Sequence, residues 1–166
     1  MKLKINTLKI EHLKEALKIY NYYIINSFAN FEEKKVNLTE FTKDYKSITN
    51  NKLPYLAAIL DKKIVGIAYL NKFRDKSGYR FAFENTVYVH NDYLNQGIGY
   101  QLLKNLIAIG KKNTKIKKIV AVIGGIDCKG SLKLHKKLGF KNCGKFNKIG
   151  FKKRKWIDAF LLQKDL

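Results

Sequence analysis

The sequence predicts an α/β (α+β) fold, with a mixed central β-sheet of about seven strands and helices on both faces. Three observations predict it. Apolar and β-branched runs of strand length recur at 55–60, 64–70, 79–89 and 116–123, bounded by turn residues. Between and around them lie segments whose apolar residues recur at three-and-four spacing, as a helix with one buried stripe requires. One such helix joins the strands 79–89 and 116–123, and a strand–helix–strand crossover makes that part of the sheet parallel. At 166 residues, 46% hydrophobic and with a single Pro, the chain suits one domain over 1–166 that buries roughly 70% of its unfolded surface.

In order along the chain, residues 2–7 alternate apolar and polar and read as an edge strand. Over 11–25, Leu13, Leu17, Tyr20 and Ile24 share a helical face. The stretch 27–36 breaks the period and holds Phe28, Asn30 and Phe31, and its two aromatics either plug the core edge or line a pocket. A second, polar helix covers 39–49, with Leu38, Phe41 and Tyr45 on its stripe. A hairpin follows, strands 55–60 and 64–70 around the turn Asp61, Lys62, Lys63. The loop 71–78 is charged, and Tyr79 opens a strand that runs to Val89.

The segment 84–100, ENTVYVHNDYLNQGIGY, passes from that strand through a polar loop into a helix. Gly97 and Gly99 open the helix, and Leu102, Leu103, Leu106 and Ile107 give its stripe up to about Gly110. Glycine at a helix start lets backbone approach a bulky ligand, and first-turn N–H groups favour an anion. This is the chemistry of a phosphate cradle, although two glycines before a helix are also a common turn. Strand 116–123 stops at Gly124 and Gly125. A short helix, 131–138, is closed by Gly139, and strands 140–146 and 156–163 finish the chain.

Composition narrows the function classes. No apolar run reaches a membrane span, and the N-terminal residues alternate where a signal peptide would be continuously apolar, so a cytoplasmic location is expected. Cys128 and Cys143 lack metal-ligand spacing, so free thiols and no metal are expected. With 34 Lys plus Arg against 13 Asp plus Glu, the net charge is +21. The cations are mostly Lys and are scattered, which argues against a dedicated nucleic-acid face. The densest cluster, 152–155, reads as a solvated turn as readily as a binding patch.

The order of elements and several motifs resemble the GNAT superfamily of acetyl-CoA-dependent N-acetyltransferases, more narrowly its phosphinothricin and methionine sulfoximine acetyltransferase branch. The motifs are IYNYYIINSFANFEE at 19–33, GIAY at 66–69, ENTVYV at 84–89, GIG at 97–99, VAVIG at 120–124, LHKKLGF at 134–140 and GFKKRKWID at 150–158. The resemblance implies a GNAT-like fold and acetyl transfer from acetyl-CoA to the α-amine of a small amino acid or analogue. Glu84 would be the general base. His135 would protonate the departing thiolate, or else is a packed structural residue. A splayed central strand would polarise the thioester carbonyl through backbone N–H near Tyr88 or Val89, and the same exposed backbone, Val87 included, would pair with the pantetheine arm. The loop Leu94, Asn95, Gln96, Gly97, Ile98, Gly99 and Tyr100 would hold the pyrophosphate, with Cys128 and Ser131 beside the cofactor. For the acceptor, Phe28 and Phe31 would wall the side-chain pocket, and Arg74, Lys76 and Tyr79 would meet the carboxylate, with solvated loop charge the alternative for the two cations.

Two positions of the expected cofactor site depart from the family pattern. Leu94 stands where relatives carry Arg or Gln, and Cys128 where they carry Asn, so cofactor binding is expected to be weaker. Lys76 stands for Arg, which removes a bidentate fork. Relatives are commonly dimers, so a homodimer is an expectation. The other readings are acetylation of a peptide or protein N-terminus, favoured by an open groove, and a non-catalytic basic module on nucleic acid or ribosomes.

Overall fold

The computed structural model describes residues 2–166. Seven strands form one sheet: β1 Lys4–Thr7, β2 Tyr55–Leu60, β3 Lys63–Lys72, β4 Ala82–Val89, β5 Lys118–Gly124, β6 Lys141–Lys152 and β7 Lys155–Asp165, in the order β1-β2-β3-β4-β5-β7-β6. Every neighbouring pair is antiparallel except β4 and β5. That parallel pair is joined by the glycine-opened helix, as the crossover argument requires.

Four helices cover the sheet: α1 Leu13–Asn26, α2 Leu38–Asn50, α3 Ile98–Lys112 and α4 Lys129–Lys137. On β4, Tyr88 stacks on Tyr23 of α1 with ring centroids 4.4 Å apart, whereas Val87 and Val89 approach Gly99 of α3. Because successive side chains of a strand point to opposite faces, α1 lies on one side and α3 on the other. Phe41 of α2 packs on Tyr20 of α1 at 5.4 Å, and Leu134 of α4 meets Gly99, so the helices pair as α1 with α2 and α3 with α4. Asn37 and Glu40 form a reciprocal capping box that starts α2.

Leu102, Leu103 and Leu106 of α3 are fully buried against the sheet. Leu102→Ala is expected to lower stability by about 2–5 kcal/mol, the transfer and cavity cost of a buried leucine, read as a reduced Tm. Among the described residues no helix is long and apolar enough to cross a membrane.

Two expected boundaries move by three residues or more. Tyr79 does not open the strand: Ser77–Tyr79 is a 3-10 turn closed by Tyr79 N–H on Lys76 O and Arg80 N–H on Ser77 O, and β4 begins at Ala82. Strand β6 runs on to Lys152, past a register shift between Phe146 and Gly150. Asp158 supports that irregularity by accepting from Lys145 Nζ and Lys148 N–H. The basic cluster is divided, with Lys153 and Arg154 at positive φ in the β6–β7 turn and Lys152 buried. Both cysteines are free.

Candidate active site

The parallel pairing of β4 with β5 stops at Glu84 opposite Val120. Beyond it, β4 stays on β3 as far as Val89 and β5 stays on β7 as far as Gly124, so the sheet opens between two strands that are each held on their outer side. Backbone alternation decides what faces the opening. Phe73 N–H donates to Ala82 O and His90 N–H to Val65 O, so the even-numbered residues of β4 bond to β3. Asn85, Val87 and Val89 therefore turn their backbone toward the gap, while the Tyr88 N–H belongs to the β3 ladder. The Val89 carbonyl accepts the Tyr23 hydroxyl at 2.7 Å. A cleft of about 310 Å³ fills the opening, lined by β4 from Glu84 to Tyr88, by Ala121 to Gly124, by Asn30 and Phe31, and by Cys128, Ser131 and His135.

A second cavity of about 350 Å³ lies alongside, lined by Phe31, Phe73, Arg74, Glu84, Val122, Phe146, Ile149 and Leu161 among others. Glu84, Phe31 and Val122 belong to both walls. Glu84 thus stands at the junction of two spaces. Burial raises its carboxyl from 4.5 to about 6, with Arg74 pulling the other way.

On the opposite face of β4, Asn85 and His135 are both buried and joined, Asn85 Nδ2 to His135 Nε2 at 3.0 Å. The other ring nitrogen, Nδ1, lies 2.8 Å from Ser131 O. A carbonyl can only accept, so Nδ1 carries the proton and Nε2 is left to accept from the Asn85 amide. Burial lowers the His135 pKa, which keeps the ring neutral. Asn85 Oδ1 is buried without a hydrogen-bond partner.

The mouth of α3 is adjacent. Gly97 is its N-cap at φ 77°, a left-handed conformation that suits glycine, and no side chain caps the helix. The first intrahelical bond is Gln101 N–H to Gly97 O, so the N–H groups of Ile98, Gly99 and Tyr100 have no helical partner. Lys137 and Lys104 approach the Tyr100 ring at 5.0 and 6.0 Å and bring positive charge to this mouth.

Of the residues the sequence singled out, Glu84, Val87, Tyr88, Phe31, Cys128, Ser131 and His135 meet around the cleft, and Arg74 joins Glu84 and Phe31 at the second cavity. Leu94, Asn95 and Gln96 are exposed on the approach to α3, and Cys128 is the N-cap of α4. Phe28, Lys76 and Tyr79 line neither space. The Phe28 ring lies under the Lys153 and Lys155 ammonium groups, and Tyr79 packs edge-on against Phe73. Sequence reasoning missed Asn85, Asn30, Phe73, Val122, Phe146 and Ile149. The signal for Asn85 was present, since an amide inside a buried β-branched run needs a partner. The signal for Phe146 and Ile149 was absent because the β6 irregularity that presents them is not periodic.

No group of three or more His, Cys, Asp or Glu side chains able to hold a metal occurs among the described residues. The family described as acetyltransferase (GNAT) domain matches residues 5–161. The chain is 33% identical over 162 residues to a phosphinothricin N-acetyltransferase of Alcaligenes faecalis, covering 98% of this chain and 82% of that one. It is 28% identical to an L-methionine sulfoximine/L-methionine sulfone acetyltransferase of Pseudomonas paraeruginosa, covering 95% and 91%. The solved structure of a GNAT superfamily phosphinothricin acetyltransferase from Sinorhizobium meliloti, in complex with acetyl-CoA, superposes with a TM-score of 0.94 at 30% identity, covering 100% of this chain and 89% of that one. With its sheet opened beside an uncapped glycine-led helix and these relatives along nearly its whole length, the chain belongs to the GNAT family as an acetyl-CoA-dependent N-acetyltransferase.

Proposed function

We propose that the enzyme acetylates the α-amino group of a small amino acid with an uncharged side chain, by direct transfer with Glu84 as general base. The observation that carries this reading is the position of Glu84 on the wall common to both cavities. An α-amine has a pKa of about 8 and is mostly a cation at neutral pH, whereas the nucleophile is its neutral form. A carboxyl with a pKa of about 6 is ionised at pH 7 and takes that proton directly or through one water. Arg74 is the one cation among the described residues lining the second cavity and pairs with the substrate carboxylate. The remaining lining is mainly apolar, so a second negative charge on the acceptor would be buried unpaired. A relative named for methionine sulfoximine and methionine sulfone supports the same class.

Acetyl-CoA supplies the acetyl group as an activated thioester. This chain's own groups fit it at three places. The Asn85 carbonyl, the Val87 backbone and the Val89 N–H offer an unpaired strand edge to an amide-bearing arm. Asn85 Oδ1 offers a buried acceptor in need of a donor. The first-turn N–H groups of α3, with Lys104 and Lys137 nearby, offer an anion site. These lysines offset part of the polar contact that Leu94 and Cys128 remove.

His135 holds Asn85 in this reading, the packed alternative to an acid role, because its Nε2 accepts and its ring is neutral. His135→Ala is expected to cost about 1–3 kcal/mol of stability by leaving the buried Asn85 amide unpaired, while the pH profile of kcat keeps its shape. Loss of a basic limb in that profile would restore the acid assignment.

The homodimer stands as part of the same proposal. Phe146, Ile149, Phe151 and Trp156 on β6 and β7 are large, apolar and exposed, a surface that a second copy would cover. Light scattering at micromolar concentration is expected to give twice the monomer mass.

A thiol-release screen with acetyl-CoA tests the acceptor class. Methionine sulfone, methionine sulfoximine and neutral amino acids are expected to outperform phosphinothricin, with its second anionic group, and peptides. Turnover of peptides alone would overturn the reading in favour of a protein N-terminus.

A further inference from the structure

Lys152 is 2% exposed, yet its neighbours Lys153, Arg154 and Lys155 form the solvated end of the β6–β7 hairpin. Its ammonium donates to the backbone carbonyl of Asn30, 122 residues away in the loop between α1 and α2. The carboxylates that attract it are Glu33 and Glu32 of that same loop, and Lys153 opposes them. A stem buried for packing alone would be served by methionine. An ammonium taken out of water needs a reason, and here hydrogen bond and charge both lead to one segment.

That segment is held at two further points, one on the hairpin and one on β5. Gly150 leaves room for the Phe31 ring, since a Cβ there would stand 2.2 Å from Phe31 Cε1. Across the gap, a Cβ on Gly124 would stand 2.2 Å from Phe28 O. The loop is therefore seated on bare backbone on two sides and tied by Lys152. Asn30 lines the cofactor cleft, and Phe31 walls both the cleft and the acceptor cavity.

We propose that Lys152 is a positioning residue for the amine acceptor. Its tie to Asn30 O fixes the loop so that the Phe31 ring stands on Gly150 and closes the acceptor cavity beside Glu84. Lys152 touches neither cavity and takes no part in proton transfer. The proposal rests on the acceptor reading above for its kinetic consequence, though the tie itself does not depend on it.

Two variants test it. Lys152→Met keeps the stem and removes the donor, and Gly150→Ala displaces the Phe31 ring without touching Lys152. Lys152→Met is expected to raise KM for methionine sulfone by about tenfold, the worth of one charge-assisted hydrogen bond, and Gly150→Ala to raise it in the same direction by displacing the ring, while KM for acetyl-CoA stays within about twofold in both. In Lys152→Met, hydrogen–deuterium exchange of the amides at 28–33 is expected to rise while that of α3 and β3 is unchanged. Unaltered exchange at 28–33 together with unaltered acceptor KM would overturn the proposal. So would a rise in both KM values in step with a general loss of Tm. If the wild-type enzyme acetylates no amino acid, the acceptor reading fails, and the exchange measurement still decides whether Lys152 holds the loop.

Discussion

Glu84→Gln is expected to lower kcat for an amino-acid acceptor by about 10²–10⁴-fold, the usual contribution of a positioned general base. The substitution keeps the shape of the side chain and removes the basic oxygen, so KM for acetyl-CoA should change little. In the wild-type enzyme, kcat is expected to rise with pH as the carboxyl ionises, with a midpoint near 6 in place of the ordinary carboxylate value. That limb disappears in the variant. Stability moves the other way. A carboxyl whose folded pKa lies above its unfolded value disfavours the folded state once ionised, a penalty absent below about pH 4.5 and complete above about pH 6. A shift from 4.5 to about 6, at about 1.4 kcal/mol per unit, makes the penalty about 2 kcal/mol at pH 7. Glu84→Gln is therefore expected to raise Tm at pH 7 and to leave it unchanged at pH 4. A gain in stability that accompanies loss of activity marks a group kept for chemistry.

Arg74→Met is expected to raise KM for the amino acid by about 10–100-fold, since a charge-assisted pair is worth about 1.5–3 kcal/mol. A second effect is diagnostic. The Arg74 charge holds the Glu84 pKa down, so its removal should move the acid limb of the kcat profile to higher pH. Both effects in one variant require Arg74 to face the acceptor and Glu84 together. A raised KM with the limb unmoved would leave Arg74 a carboxylate anchor alone. Lys76→Met, on the exposed turn beyond Arg74, should leave the limb in place.

How far the sequence foretold this site depends on the range of the interactions concerned. The strand 84–89, the helix led by Gly97 and the crossover to β5 were legible because periodicity and glycine placement are local. Glu84 was legible as the carboxylate of the central strand. The split of the sheet was expected through the family resemblance, but which N–H groups face it depends on the β3–β4 register, fixed by contacts such as His90 on Val65. The resemblance brought Lys76 and Tyr79 to the acceptor, whereas the 3-10 turn at Gly78 holds Tyr79 on Phe73. Asn85 and His135 lie 50 residues apart, and nothing near either one announces the pair. Lys152 was hidden for the opposite reason. It sits in a run of cations that looks solvated throughout, and a partner 122 residues upstream makes it the exception.

The most direct measurement is a crystal structure of the enzyme with coenzyme A and methionine sulfone bound together. The account predicts the pantetheine arm along Asn85, Val87 and Val89 in the opening between β4 and β5. The amino acid should lie against Arg74, with its nitrogen within hydrogen-bonding reach of Glu84 directly or through one water. An arm bound outside that opening, or a Glu84 carboxylate turned away from the amine, would contradict it.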